Sequence, residues 1–354
     1  MTDYSIKNMV LDENPDVFKF LDKMLAYGYS KGIYDWEYLH NKGFLFYLLN
    51  PNNEVVGAQG MIPIKLRTAK EILETAKSET SYLDSSTQGK GLFREIYNYN
   101  IDECKSQNIC TIWGFTALGP LWKKLGFKVQ NECLFTSTLP INTKQKGNGF
   151  LDSVKHQLKN MFRRVTFLKE GIKFNVVRNN NLDFVKSVEF NNKITDFNRS
   201  LFLKAANLVN IDYNQAYVDY RFIDNPFMVY EYYYLFNADK DLVAYAITSH
   251  SKNEDKFKYN LVDIKGNNRV QLETLIHHLI SELRCNHKGI ELNFFASTLK
   301  PENKAVFKQL KKYGATSYDS EMFIVGLDLT ENKSQNMEFE NWYINGVWTQ
   351  GTTI

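Results

Sequence analysis

Four consecutive residues, Gln88, Gly89, Lys90 and Gly91, carry the clearest chemical potential in this sequence, because a strand-like run precedes them and a helix-like run follows. A helix opens with N–H groups that no earlier carbonyl reaches and with the positive end of its dipole, so an anion placed there is stabilised. Gly89 and Gly91 permit tight backbone curvature and present no side chain to an approaching ligand. The amides of residues 89 to 94, those of Leu92 and Phe93 included, can then turn together toward a pyrophosphate. A GKG run alone is weak evidence, since glycines before helices are often only turns.

The elements that must position this loop follow from periodicity. Residues 78–84 read as a strand, and the helix after SSTQGKG places Phe93, Ile96, Tyr97, Asn100 and Cys104 on one side. Upstream, Asn14 and Pro15 are a good helix start, with Phe18, Leu21 and Leu25 at helical spacing up to about Gly28. Residues 44–67 are rich in Leu, Val, Ile and Tyr and are divided by Asn50, Pro51, Asn52 and Asn53, which predicts a hairpin or meander. Downstream come a strand over 110–115, a helix near 117–124 and a strand over 127–139. Strand, loop, helix is the unit that matters.

The string TQGKGLFREI, followed about 30 residues later by LWKKLGFKV, resembles the GNAT superfamily of N-acetyltransferases. That family's pattern is Gln or Arg, two residues, Gly, one residue, then Gly or Ala, and later a helix ending in Leu-Gly-Phe. Gln88, Gly91 and the Leu125 to Phe127 string match, whereas Phe93 stands where Gly or Ala is usual. The resemblance implies acetyl-CoA as co-substrate in the first domain, bound by Leu83, Asp84, Gln88, Gly89, Lys90, Gly91, Leu92 and Phe93. It implies that the strand before the loop splays from the next one, that the acetyl-pantetheine arm runs along it near Tyr82 and Leu83, and that an oxyanion donor N–H lies at Leu83 or Asp84. Glu79 resembles the carboxylate that acts as base in the family, directly or through water; a salt bridge or an exposed strand end fits that residue equally well. The family's usual acid, a Tyr four residues before the Gly of the LGF string, is replaced by Trp122, which cannot protonate a thiolate. Tyr82, Tyr97 or Cys110 could substitute, the thiolate could leave unaided, or the domain could bind CoA without efficient chemistry.

An internal echo points to two copies of one domain. YDWEYLHN is matched by VDYRFIDN, so Asp35 and Trp36 correspond to Asp219 and Tyr220, and Asn41 to Asn225. Each copy continues with a hairpin, then a helix, a strand and a helix; in the second, Leu272, Leu275, Ile276, Leu279, Ile280 and Leu283 form the apolar stripe. Counted from Asp263 as from Asp84, the loop positions in the second copy hold Asn267, Asn268, Arg269 and Val270, so the glycines are gone. Trp36, Tyr220 and Arg221 are the candidates for contact with an acceptor, with cap and packing roles as the alternative.

These readings predict an α/β (α+β) chain of two tandem GNAT-like domains, each a mixed, mostly antiparallel sheet flanked by helices. They place one over 1–140 with the acyl-CoA loop, a basic linker over 141–164, a degenerate copy over 165–330, and a C-terminal tail over 331–354 that folds back through Trp342, Tyr343 and Trp348. A chain of 354 residues with 44% apolar content can bury two ordinary cores. With 43 Lys plus Arg against 40 Asp plus Glu and no long run of one sign, nucleic acid is not suggested. No apolar stretch approaches membrane-spanning length and the first residues are not a secretory signal, so a cytoplasmic protein is expected. Cys104, Cys110, Cys133 and Cys285 lie singly and read as small buried hydrophobes; His277, His278 and His287 lack zinc spacing, so no metal is expected. No GxSxG elbow is present. The expected activity is transfer of an acetyl group to an amine, with an amino sugar suggested by the tail's likeness to proteins of polysaccharide assembly. The alternatives are a non-catalytic acyl-CoA-binding or scaffolding protein and an aminoacyl transferase of cell-wall type. Oligomeric state is not legible.

Overall fold

The computed structural model describes residues 4–25, 28–130, 134–142, 165, 182–205, 207–252, 258–287, 289–330 and 338–349. The expected basic linker and the boundary placed in it lie outside the described residues apart from positions 141 and 142. Contacts divide the chain into two compact units, and neither is contiguous. The first comprises Met1–Asn131, Ala206–Pro226 and Met322–Phe339; the second comprises Glu132–Ala205, Phe227–Glu321 and Glu340–Ile354.

The first unit starts with β1 (Ser5–Asn8) and α1 (Pro15–Leu25), whose opening is fixed by Asn14 Oδ1 accepting from the Asp16 N–H at 3.0 Å. Val17, Phe20 and Leu21 bury its apolar face. After α2 (Lys31–Tyr34) and one π-helical turn (Asp35–Leu39) come β2 (Phe44–Leu49) and β3 (Val55–Pro63), the expected hairpin, then the short β4 (Leu66–Arg67) and β5 (Ile72–Leu73). β6 (Thr75–Leu83) leads through the glycine loop to α3 (Leu92–Ser106), followed by β7 (Thr111–Thr116), α4 (Gly119–Lys124) and β8 (Lys128–Gln130). A later strand, Phe323–Asp328, joins the same sheet, whose order is β1, β2, β3, β6, β7, Phe323–Asp328, β8. Neighbours are antiparallel except β6 and β7.

The second unit repeats this plan. It contains β9 (Leu134–Ile141), β10 (Asp183–Ser187), α5 (Lys193–Lys204), β12 (Met228–Phe236), β13 (Leu242–Ser251), β14 (Lys258–Gly266), α7 (Arg269–Asn286), β15 (Ile290–Ser297), α8 (Pro301–Lys312) and β16 (Thr316–Asp319). Between β10 and β12 in sequence, β11 (Asn210–Ile211) and α6 (Gln215–Val218) belong to the first unit, as does β17 (Phe323–Asp328). The second sheet runs β10, β12, β13, β14, β15, β9, β16, again with one parallel pair, β14 and β15. Each sheet therefore takes its sixth strand from the other half of the chain: β17 in the first, β9 in the second.

Two sequence expectations are corrected by this arrangement. The apolar run expected as one strand over 127–139 is two strands in different sheets, β8 and β9; a continuous apolar pattern cannot show where pairing partners change. A division at residue 140 consequently does not follow the contacts, which assign β9 to the second unit. The DW and DY echoes fold identically, each as one α-turn running into a π-turn, Asp35–Leu39 and Asp219–Ile223, but both lie in the first unit. Among the cysteines, Cys104 is buried as expected, whereas Cys110 is half-buried and Cys285 exposed; Cys133 lies outside the described residues. No helix among the described residues is long and apolar enough to cross a membrane.

Candidate functional site

β6 and β7 pair in parallel only from Thr75↔Thr111 to Lys77↔Trp113. Past Lys77 the two strands part, which leaves an unpaired backbone edge on β6. On its other edge β6 pairs with β3 through a bulge: Gly60 faces Glu79 and Ala58 faces Tyr82, so Thr80 and Ser81 share the space opposite Gln59. Thr80 takes the left-handed conformation, with φ of 56°, and its Oγ1 accepts from the Tyr38 hydroxyl at 2.6 Å. The buried Gln59 amide donates to Gly60 O and Ser78 Oγ, at 2.9 and 3.1 Å, and so fills the bulge. The Asp84 N–H donates to Val56 O at 2.8 Å. Gly57 and Leu83 are therefore a non-hydrogen-bonded pair, and the Leu83 N–H points away from β3 toward the open edge. Asp84, considered as an oxyanion donor on sequence grounds, has its N–H committed; Leu83 is the residue whose amide is directed outward.

The loop after β6 is ordered by its own side chains. Asp84 Oδ1 accepts from the Ser86 N–H at 2.9 Å, which holds the Asp84 carboxyl below the usual carboxylate range and caps the 3-10 turn Ser85–Thr87. Gln88 is exposed and closes that turn through its N–H to Ser85 O. Gly89 and Gly91 have φ of +75° and +78°, and Gly91 is the N-cap of α3. The first backbone donors to find a partner are Arg94 and Glu95, both to Gly91 O. Among the described residues the N–H groups of Gly89, Lys90, Gly91, Leu92 and Phe93 have no intrachain acceptor, so five amides line the mouth of the helix. Arg94, expected as a sixth, is engaged. Lys90 donates to the Tyr4 hydroxyl at 3.0 Å, and Leu92 is buried. The Phe93 ring turns into the core, 5.8 Å from Tyr97 and 6.0 Å from Trp122, and so leaves the loop unobstructed.

Of the two residues expected to do chemistry, Glu79 forms an ion pair with the buried Lys77. Tyr82 lies on the same strand; burial first, then the negative charge of Glu79, push its phenol pKa up, so it holds its proton. Trp122 is core: its ring meets Phe127 at 4.8 Å and Tyr97 at 5.2 Å, both edge-on. Tyr97 is wholly buried, and burial raises its phenol pKa well above normal; the Cys110 thiol pKa is likewise pushed up by burial, and its Sγ faces Glu74 O. Tyr97 lies on α3 and Cys110 just before β7, whereas Tyr82 is on β6 past the point where the strands part.

The acceptor candidates come together in the first unit. Trp36 and Tyr220 stack at 4.8 Å, and the Trp36 indole N–H donates to Tyr220 O at 3.0 Å. Arg221 is 1% exposed and Tyr220 is 2% exposed, so most of each side chain is enclosed by the protein. Sequence reasoning missed Tyr38, Thr80, Gln59 and the buried Glu37, which accepts from the Tyr29 hydroxyl. Tyr38 stands two residues past Trp36, as Phe222 stands two past Tyr220, so the repeated string does mark it; a threonine in left-handed geometry leaves no trace in a sequence.

The second unit lacks the cradle for a stronger reason than substitution. Where eight residues, Asp84 to Gly91, separate β6 from α3, only Asn267 and Asn268 separate β14 from α7. Asn268 caps α7 by accepting from the Gln271 N–H. Asp263 is not the counterpart of Asp84, since it lies inside β14 and is fully buried.

No protein-family model matches the chain, and no curated protein matches it in sequence. Solved structures do. A tandem GNAT protein from the clavulanic acid biosynthesis pathway superposes with a TM-score of 0.56 at 9% identity, covering 93% of this chain and 99% of that one. A conserved Enterococcus faecalis protein described as a probable N-acyltransferase gives 0.62 at 8% identity over 93% and 73%. Saccharomyces cerevisiae N-myristoyltransferase with bound myristoyl-CoA gives 0.53 at 11% identity over 92% and 83%. In sheet order, parted parallel strands and doubled plan, this chain has the tandem fold of the GNAT N-acetyltransferases.

Proposed function

We propose that the first unit binds acetyl-CoA and transfers its acetyl group to an amine, with amino sugars as the first acceptor class to try. The observation that carries this reading is the row of five unengaged amides, Gly89 to Phe93, placed directly after a strand whose parallel partner has left it. A diphosphate suits the amides, and an extended amide-bearing arm suits the free edge of β6.

In the proposed reaction the amine nitrogen attacks the thioester carbon and the C–S bond breaks. The carbonyl oxygen gains charge facing the Leu83 N–H. The amine loses a proton to Glu79, directly or through a water, and the departing thiolate takes one from Tyr82. Lys77 fixes the Glu79 carboxylate in place through their ion pair. Trp36, Tyr220 and Arg221 would shape the acceptor end.

Isothermal titration with acetyl-CoA and longer acyl-CoAs, combined with CoA release across an amine panel, tests both parts. Binding with turnover is the expected result; absence of any CoA affinity refutes the proposal. Trp122 in the place of the family's acid favours a second reading, an acyl-CoA-binding protein without chemistry, which binding without CoA release from any amine would support.

A further inference from the structure

The second sheet parts as the first does. Parallel pairing of β14 with β15 runs from Lys258↔Glu291 to Asn260↔Asn293 and stops, and β13 opposite β14 shifts register between Ile247 and Thr248. Here, however, the gap is filled. Beyond Asn293 the edge of β15 that β14 has left is taken by the C-terminal segment: Ala296 forms an antiparallel bridge with Asn345, and the Ser297 N–H donates to Ile344 O at 3.0 Å. On the β14 side Gly346 lies so close that a Cβ there would stand 3.0 Å from Val262 O and 3.1 Å from its Cα.

The segment is fastened by buried polar contacts. Asn345 Nδ2 donates to Asp263 Oδ1 at 2.6 Å, and both residues are fully buried. The other Asp263 oxygen accepts from the Tyr245 hydroxyl at 2.5 Å and from Lys265 at 3.0 Å. Asn303 Nδ2 donates to Ile344 O, and the Trp348 indole N–H to Tyr343 O at 2.7 Å. A buried carboxylate with every partner in place favours one docked geometry, and removing a partner is costly.

We propose that residues 343–348 occupy in the second sheet the place an acyl-pantetheine arm takes in the first, so that the chain's own backbone amides fill the second cleft and one acyl-CoA binds per chain. The proposal rests on the acyl-CoA reading of the first unit. Because the second unit has no diphosphate loop, the suitable probe is S-acetylpantetheine, which needs none.

In the unaltered protein, hydrogen exchange over 341–349 should be slow, matching β14. Two substitutions should release the segment. Asn345→Asp retains the oxygen that accepts from the Val347 N–H but sets a second carboxylate against Asp263. Gly346→Val drives a side chain into the Val262 backbone. Each should speed exchange over 341–349 about tenfold or more, and each released variant should take up a second equivalent of S-acetylpantetheine at millimolar concentration, seen by titration, while acetyl-CoA affinity stays unchanged. Fast exchange in the unaltered protein overturns the proposal without any variant. So do two folded variants that remain protected, or a released segment with no second equivalent. Failure of acetyl-CoA to bind the unaltered protein would sink the functional reading instead, and leaves the exchange result distinct.

Discussion

The Tyr38 hydroxyl reaches Thr80 Oγ1 at 2.6 Å because residue 60, on the strand between them, has no side chain. A Cβ at Gly60 would lie 2.2 Å from the Tyr38 oxygen and 2.5 Å from its ring. Tyr38 is fully buried and cannot swing aside. One glycine thus lets an aromatic from the π-turn clamp the bulge of β6, just ahead of Tyr82 and of Leu83, whose N–H is directed to the parted edge. Gly60→Ala is expected to destabilise by about 1–3 kcal/mol, as overpacking does, and to lower turnover more than acetyl-CoA affinity, since the loop amides lie beyond the bulge. Thermal melts and steady-state CoA release check this; turnover at the unaltered rate would show that the clamp does not set the position of Tyr82.

The glycines of the loop act through conformation, not space. A Cβ on Gly91 would meet no atom within 4 Å, yet φ there is +78°. Gly91→Ala should therefore cost about 1–2 kcal/mol of backbone strain and weaken acetyl-CoA binding about 5- to 30-fold if the loop relaxes away from its bound shape. Calorimetry reads the change directly. An unaltered affinity would mean that the amides of the loop do not gather the diphosphate.

The loop, both helix starts and the doubled plan were legible because they depend on local rules: glycine and cap residues mark turns, and periodicity marks faces. Gly89 and Gly91 mark the turn before α3 for that reason, and the Asp35-Trp36 and Asp219-Tyr220 strings mark two like turns. What escaped depends on partners distant in sequence. Nothing in CLFTSTLPI distinguishes a strand that continues the first sheet from one that joins the second, and β9 joins the second by pairing with β15. Glu79 looked equally able to be a base or half of a salt bridge; the pairing with Lys77 is real, but two residues apart on one strand it did not decide the question. The left-handed Thr80 and the commitment of the Asp84 N–H to Val56 O likewise follow from register, which a single sequence does not display.

Trp122 should prove structural. Its ring stands edge-on to Tyr97 and Phe127 in a buried aromatic cluster with Phe93. Trp122→Ala is expected to cost about 3–5 kcal/mol of stability, whereas Trp122→Phe should cost less and leave the turnover number within about twofold of the parent, well short of what loss of an acid removes. Denaturant melts alongside CoA-release assays separate the two effects. A large fall in turnover for the Phe variant, without loss of acetyl-CoA affinity, would place this ring in the chemistry after all.

The pH dependence distinguishes Tyr82 from other proton sources. Burial, and then the charge on Glu79, raise its phenol pKa above the ordinary 10.0. The sign follows: the folded protein keeps this proton at pH values where the unfolded chain gives it up, so the contribution to stability is whole below pH 10 and is lost as the pH rises through the folded value. Across neutral and mildly alkaline pH the phenol is therefore protonated and able to serve a departing thiolate. Turnover should rise with pH as the acceptor amine loses its proton, and any falling limb due to Tyr82 must lie above pH 10. Tyr82→Phe should lower the turnover number about 10²-fold while leaving the rising limb and the acetyl-CoA affinity in place. A falling limb below pH 10 that vanishes in the Phe variant would contradict the direction of the shift, and a Phe variant with parental turnover would mean that the thiolate departs without a proton from this residue.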